Sequence, residues 1–341
     1  MKHVNIPIFI PQLGCPHHCI YCNQKTISAQ TTIPDDKQVQ KQINCYLESI
    51  GSDVSEVEIA FFGGSFTCLP RKQQITYLEA VQPFLKHPKV SGIRLSTRPD
   101  YIDKEGLFLL KAYNVKVIEL GIQSFADKVL KASGRFYSSE LAVNACQLIQ
   151  AERFRLGIQV MIGLPEATHE YDLMTAEIIA AIKPNMVRLY PTLIIRDTPL
   201  EHIYKHRKYK PLTLDEAVQT CADMKEIICR ENIAIIRMGL QPNEELQNGE
   251  VIAGPFHPAF GELVEQMLFF RQAHDLLKEH YANSQPGQPL ALIVNPKDIS
   301  KLIGYKRKNI MMLSRTWKTS LAVKSCENLK KGSITLELRD I

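Results

Sequence analysis

Apolar and polar positions follow two rhythms along this chain. Six short runs are almost continuously apolar: VNIPIFI (4–10), VEIAFF (57–62), GIRLST (92–97), KVIELGI (116–122), RLGIQVMI (155–162) and MVRLYPT (186–192). Between them, segments such as DDKQVQKQINCYLESI, PRKQQITYLEAVQPFL and SSELAVNACQLIQAE repeat apolar residues at helical spacing. The runs read as strands apolar on both faces and the spacers as amphipathic helices. Repeated strand–helix units with short connections predict a parallel α/β sheet. Six units fit a partial (β/α)6 barrel better than a complete eight-unit one, with a doubly wound open sheet as the alternative.

After Tyr190 the rhythm changes. Residues 193–212 are loop-rich, 214–231 read as a helix, and IAIIRM (233–238) as a further strand. A Gly- and Pro-rich stretch leads to a helix from about Phe260 to Tyr281, and NSQPGQP (283–289) has the polar, Pro-containing character of a linker. These features predict a barrel over 1–240, a helical and loop extension packed on it over 241–284, and a small α+β appendage over 290–341. The opening MKHVNIPIFIPQLG is broken by Asn5, Pro7 and Pro11, which favours a first strand over a secretory leader.

Charge sharpens this division. From Pro296 onward there are eleven Lys or Arg against four Asp or Glu, a net of +7; the chain total of +5 leaves the body at −2. A basic module on a neutral body points to a polyanionic partner. No apolar run approaches the length of a membrane span. Nine cysteines, six of them scattered singly, do not form a disulfide framework, so a reducing, cytoplasmic setting is expected.

The chemically suggestive residues follow the strands. The loop LGCPHHCIYCNQ (13–24) follows the first strand, GGSFT (63–67) the second, and Ser96-Thr97-Arg98-Pro99-Asp100 ends the third. Gln123-Ser124, Gly163-Leu164-Pro165-Glu166 and Tyr190-Pro191-Thr192 close the others. In parallel α/β folds ligands bind where these carboxyl ends converge. Cys15, Cys19 and Cys22, spaced by three and two residues, are suited to zinc if His17 or His18 completes the set, or to three corners of a [4Fe–4S] cube with one iron left open.

Cys15-x3-Cys19-x2-Cys22, with Tyr21 before the last cysteine, resembles the radical S-adenosylmethionine (SAM) signature, whose family uses a partial barrel of six strand–helix units. The resemblance implies that the three cysteines ligate a [4Fe–4S] cluster and that Tyr21 lies near the SAM adenine. It also implies that Gly63 and Gly64 meet the methionine amino group, and that Ser96, Gln123 and Arg135 hold its carboxylate and ribose. Gln159 falls where some relatives carry an acid for the ribose. The chemistry implied is one-electron cleavage of SAM to a 5′-deoxyadenosyl radical that abstracts hydrogen, fed by a reduced flavodoxin- or ferredoxin-type donor. FFGGSFT, LSTRPDYI, IELGIQS and LYPTLIIRDTPL resemble the radical SAM portion of Elongator's catalytic subunit, which modifies tRNA. The Elongator subunit carries an acetyltransferase domain after its barrel, for which this chain leaves no room. GIQSF and GLP are also shared with oxygen-independent coproporphyrinogen oxidases, which leaves a small-molecule oxidase as the runner-up. A non-catalytic iron–sulfur RNA-binding protein is the third reading.

Residues 290–341 read strand, helix, turn, helix, strand, strand. The turn, Gly304-Tyr305-Lys306-Arg307-Lys308, resembles the GXXG backbone clamp of a KH module, with Arg307 in place of the second glycine. It implies an RNA partner, tRNA first, contacted by Gly304, Lys306, Arg307 and Lys308, with Tyr305 able to stack on a base. Trp317 reads as core, His257 as a loop-packing residue and Tyr190 as a proton or hydrogen donor or a wall of the site.

Overall fold

The computed structural model describes residues 2–10, 15, 19–23, 33–240, 249–282 and 288–338. They form two compact units, Met1–Phe256 and His257–Ile341.

The first unit is built on a seven-stranded sheet of β1 (Lys2–Ile10), β2 (Val54–Gly63), β3 (Val90–Thr97), β4 (Val115–Gln123), β5 (Arg155–Ile162), β6 (Met186–Pro191) and β8 (Ala234–Met238). All six pairings are parallel. The order across the sheet follows the chain, β1-β2-β3-β4-β5-β6-β8, with no reversal. A doubly wound sheet needs a reversal to place helices on both faces. Successive right-handed crossovers in one direction instead keep the helices on one side, giving the curled partial barrel expected from the sequence. The six expected strands all form, and IAIIRM adds a seventh; β7 (Ile194–Ile195) and β9 (Val251–Ala253) pair antiparallel in a separate two-stranded sheet.

One face of the sheet packs on helices and is apolar: Ile6, Ile8, Ile59, Ile93, Leu95, Ile118, Leu120, Leu156 and Val160 are fully buried. Each contributes about 1.5–3 kcal/mol of transfer free energy. The expectation of strands apolar on both faces fails on the other side. There Glu58, Arg94 and Glu119 are buried and Arg188 lies alongside them. A singly wound sheet has helices over one face only, so its inner face need not be apolar and tolerates paired charge. Arg94 Nη1 reaches Glu119 Oε1 at 2.6 Å and its Nε reaches Glu58 Oε2 at 2.7 Å. Arg188, two strands from β4, bonds the same Glu119 at 2.6 Å. Gly157 on the intervening β5 makes this possible, because a Cβ there would lie 2.8 Å from Glu119 Cγ.

Two helices behind β5 and β6 have clear starts. They follow α1 (Asp36–Ser49), α2 (Arg71–Val81), α3 (Lys104–Ala112), α4 (Asp127–Ala132) and α5 (Ser139–Ala151). Thr168 caps α6 (His169–Ile182), and Thr213 and Glu216 form a reciprocal capping box for α8 (Leu214–Arg230). The shorter α7 (Pro199–Lys205) precedes α8.

The second unit is a three-stranded sheet in which β10 (Leu290–Val294) pairs parallel to β11 (Leu321–Ser325) and antiparallel to β12 (Ile334–Leu338). Helices α10 (Ile299–Ile303) and α11 (Lys308–Trp317) connect β10 to β11. The long helix α9 (Phe260–Ala282) belongs to this unit, whereas the sequence reading assigns it to an extension of the barrel. Phe269, Ala273 and Leu277 repeat every four residues and join Leu290, Leu292, Leu302 and Leu313 in one core. Residues 241–248 and most of the expected linker, 283–287, lie outside the described residues. No described helix is long and apolar enough to cross a membrane.

Candidate active site at the carboxyl ends of the strands

Cys15, Cys19 and Cys22 follow β1, and the described part of their loop is tied down by its backbone. Cys22 N–H donates to Cys19 O (3.1 Å) and Ile20 N–H to Ser133 O (3.2 Å), while Ile20 O accepts from Leu200 N–H (2.8 Å). Ile20 and Tyr21 pack with Ala126, Val129, Leu164, Ile194 and Leu200. Segments that follow three other strands, β4, β5 and β6, therefore hold the cysteine loop. Pro16, His17 and His18 lie outside the described residues.

Arg135, 3% exposed, organises this corner. Its Nη1 donates to Cys19 Sγ at 3.0 Å and to Tyr21 OH at 3.4 Å, its Nε donates to Tyr137 OH at 2.7 Å, and its Nη2 bonds Gly121 O. Arg98, held bidentately by Asp100 at 2.8 and 2.9 Å, approaches Cys19 Sγ at 3.9 Å. Both guanidinium groups lie over the Tyr137 ring, at 5.1 and 5.5 Å. Arg98 and Tyr137 escape a sequence reading because Arg98 sits within an expected strand-end motif without a role and Tyr137 carries no motif.

Burial pushes the Cys22 thiol up to about 12, and the neighbouring Cys19 and Cys15 push the same way while Arg135 opposes them. Three sulfurs this close resist joint ionisation unless cations hold them. Among the described residues, no three Cys, His, Asp or Glu side chains close on a point as a single metal ion requires. No disulfide joins any of the nine cysteines.

The remaining expected residues fall around the same mouth. Gly63 ends β2 at φ +99°, a conformation that disfavours side chains, beside the Ile10 backbone. Gly64 N–H donates to Ile10 O (3.0 Å). Cys15 Sγ lies 3.7 Å from Ser65 Oγ in the same turn. Ser96 Oγ contacts Phe61 O at 3.5 Å, and Gln123, at φ +74°, meets Gln159 Nε2 at 3.5 Å. Tyr190 contacts Arg188 at 3.5 Å and so joins the inner charge network. The basic turn is placed in the second unit. Trp317 packs into that unit's core, stacked on Tyr281 at 5.5 Å, as the sequence reading has it.

Behind the β5 loop, Gly163 N–H donates to the buried carboxylate of Asp172 on α6 (3.3 Å), and Tyr209 OH donates to Gly163 O (2.5 Å). Burial pushes the Asp172 carboxyl up to about 7, only partly offset by the Gly163 bond. Sequence reasoning has no signal for Asp172, which looks like one more acid in a helix's first turn.

Known proteins share these features. The chain is 26% identical over 253 residues to a tRNA uridine(34) acetyltransferase of Methanocaldococcus infernus, covering 63% of this chain and 47% of that protein. It is 28% identical over 195 residues to mouse Elongator complex protein 3, covering 50% of this chain and 36% of that one. It thus spans half or less of these relatives' length. The solved structure of M. infernus Elp3 shares the fold at a TM-score of 0.63 and 21% identity, covering 78% of this chain and 62% of that one. A Radical SAM C-terminal domain model matches residues 184–269. The Radical SAM superfamily model matches residues 9–179, half of the chain, and this protein belongs to that superfamily.

Proposed function

We propose that this protein cleaves S-adenosylmethionine at a three-cysteine [4Fe–4S] cluster to modify RNA, with tRNA as the substrate. The observation that carries this reading is the convergence of Cys15, Cys19 and Cys22 with the Gly63–Gly64 turn and the buried Arg135 at the carboxyl ends of the strands. Membership of the superfamily brings both cofactors, and the donor set fits them. Three soft sulfurs that repel one another match three corners of an iron–sulfur cube and leave one iron for a small chelating ligand. When bound, the cluster supplies one electron that splits SAM into methionine and a 5′-deoxyadenosyl radical.

The protein's own residues bind and orient. Arg135 places positive charge against Cys19 Sγ and fixes Tyr21. The half-buried Gly63–Gly64 turn has no side chain to keep an amino group away, and Gln123, Gln159 and Ser96 offer polar contacts to a ribose and carboxylate. The charged inner face, Glu58, Arg94, Glu119 and Arg188, keeps the barrel wall rigid below Tyr190.

The RNA half of the proposal draws on the tRNA-modifying relatives and on the second unit. Between α10 and α11, Gly304 adopts φ +74°, and a Cβ there would lie 2.7 Å from Asn309 Cγ. Lys306 and Arg307 follow at φ +50° and +63°. Arg307 thus takes the left-handed conformation a glycine would, which reconciles it with a KH-like turn. Tyr305 is 60% exposed beside the exposed Lys306, Arg307 and Lys308.

Anaerobic reconstitution followed by dithionite and SAM tests the reading. It predicts 5′-deoxyadenosine, formed faster with tRNA than with a porphyrinogen. Stimulation by the porphyrinogen alone would favour a small-molecule oxidase, and no cleavage at all would leave an RNA-binding protein.

A further inference from the structure

Ser65 follows the Gly63–Gly64 turn and stands just before the 3-10 turn Phe66–Cys68, a position from which a serine hydroxyl often accepts a backbone N–H. Here it caps nothing. The residue is 5% exposed, and its hydroxyl meets sulfur instead. Ser65 Oγ lies 3.7 Å from Cys15 Sγ and also hydrogen-bonds the half-buried thiol of Cys68. One hydroxyl thus stands between two sulfurs that are far apart in sequence. The turn carrying it is fixed on both sides. Gly64 N–H is bonded to Ile10 O and Cys68 N–H to Ser65 O, each at 3.0 Å. The buried Gln74 donates to Thr67 O at 3.1 Å and to Leu69 O at 2.7 Å, and Thr67 Oγ1 meets Thr97 Oγ1 on β3 at 2.5 Å. The charged pair facing Cys68, Arg98 and Asp100, is closed on itself at 2.8 and 2.9 Å. The chemistry proposed above uses neither Ser65 nor Cys68.

We infer that Ser65, backed by Cys68, is a positioning residue that gives Cys15 a hydrogen bond and so raises the reduction potential of the cluster Cys15 helps to hold. The inference rests on the proposal that Cys15 is a cluster ligand. A serine hydroxyl has one proton and two acceptor lone pairs. A ligating thiolate can only accept, so the Ser65 proton belongs on Cys15 and a lone pair is left for Cys68. The Cys68 thiol then donates to Ser65 Oγ. The result is a chain, Cys68 S–H to Ser65 O–H to Cys15 Sγ, in which each bond polarises the next. One-electron reduction adds negative charge that spreads onto the ligating sulfurs. A hydrogen bond to one of them stabilises the reduced state more than the oxidised state, which lifts the potential. Arg135 and Arg98 act on Cys19 with full charges. The Ser65 relay acts on Cys15 with neutral groups.

A redox titration followed by electron paramagnetic resonance tests this on the full chain, reconstituted anaerobically and kept free of SAM. Ser65→Ala, Ser65→Thr, Cys68→Ala and Cys68→Ser are compared with the parent. Ser65→Ala is expected to lower the potential by about a tenfold loss in the reduction equilibrium, which is about 59 mV for one electron, at unchanged iron and sulfide content. Cys68→Ala is expected to shift it the same way by less, because Ser65 keeps its proton. Ser65→Thr and Cys68→Ser retain an O–H donor and are expected to stay near the parent. A Ser65→Ala potential equal to the parent's would overturn the inference. So would an equal fall in Ser65→Thr, which would make packing, not the hydrogen bond, the cause. Should Ser65→Ala take up no cluster, the Cys68 variants decide, and a Cys68→Ala potential equal to the parent's overturns the inference. If the loaded parent cleaves no SAM, the function proposed above fails while the potentials still decide the role of Ser65. A parent that takes up no iron removes both.

Discussion

Cys19 meets two guanidinium groups, Arg135 at 3.0 Å and Arg98 at 3.9 Å, and that contact separates the proposed ligand from its support. Replacing a cluster ligand removes the site; replacing the group behind it misaligns it. Cys19→Ser is expected to abolish iron binding beyond the ~10–100-fold typical of an outer-shell change, whereas Arg135→Lys is expected to fall within that range. Iron content and SAM cleavage after anaerobic reconstitution check both. The cysteine spacing was legible in the sequence because the ligands are local. Arg98 and Tyr137 were not, because their partners lie 79 residues away, at Cys19, and in the stacking of two arginines on one ring.

Among elements, the inner face of the sheet and the helices behind it hold charge for different reasons. Burial alone would raise the Glu119 carboxyl, but Arg188 and Arg94 hold it below the usual carboxylate range. Its folded pKa lies below the unfolded one. Its contribution to stability is therefore present above the unfolded value and lost as pH falls through the depressed folded value. Glu119→Gln leaves two arginines without their shared carboxylate and is expected to cost about 3–5 kcal/mol by urea unfolding at neutral pH. Asp172 has the opposite sign. Its folded pKa, about 7, lies above the unfolded value near 3.8, so stability falls as pH rises from about 4 to 7. The groups facing it, Tyr209 and Cys221, are themselves pushed up by burial and stay neutral over that range. Asp172→Asn is expected to flatten this part of the stability profile and to add roughly 2–4 kcal/mol near pH 7. An unchanged profile would contradict the assignment.

The same elements mark what apolar patterning can and cannot reveal. Strand positions emerge within three residues because continuous apolar runs report burial against helices. The inner ladder stays hidden because Glu58, Arg94, Glu119 and Arg188 are single charges on four strands, neutralised only once the sheet forms.

At the scale of the whole molecule, a nearly neutral barrel is joined to a basic unit whose turn carries the exposed Lys306, Arg307 and Lys308. If that turn holds an RNA backbone, affinity must fall with salt as counterions are displaced. Lys306→Glu/Arg307→Glu is expected to weaken tRNA binding and reduce the log–log salt slope by about 1–2. Titrations at several salt concentrations measure it, and an unchanged slope would remove the turn from the interface. Helix α9 shows why a boundary between units is hard to see in a sequence. Its stripe of Phe269, Ala273 and Leu277 is apolar in any context, and only packing reveals which sheet it serves.

A cluster held by three cysteines, with one iron open to SAM, has a magnetic signature. Electron paramagnetic resonance of the anaerobically reconstituted, dithionite-reduced protein is expected to show a [4Fe–4S]1+ signal whose g-values shift when SAM is added. A signal indifferent to SAM, or purified protein that takes up zinc in place of iron and sulfide, would contradict it.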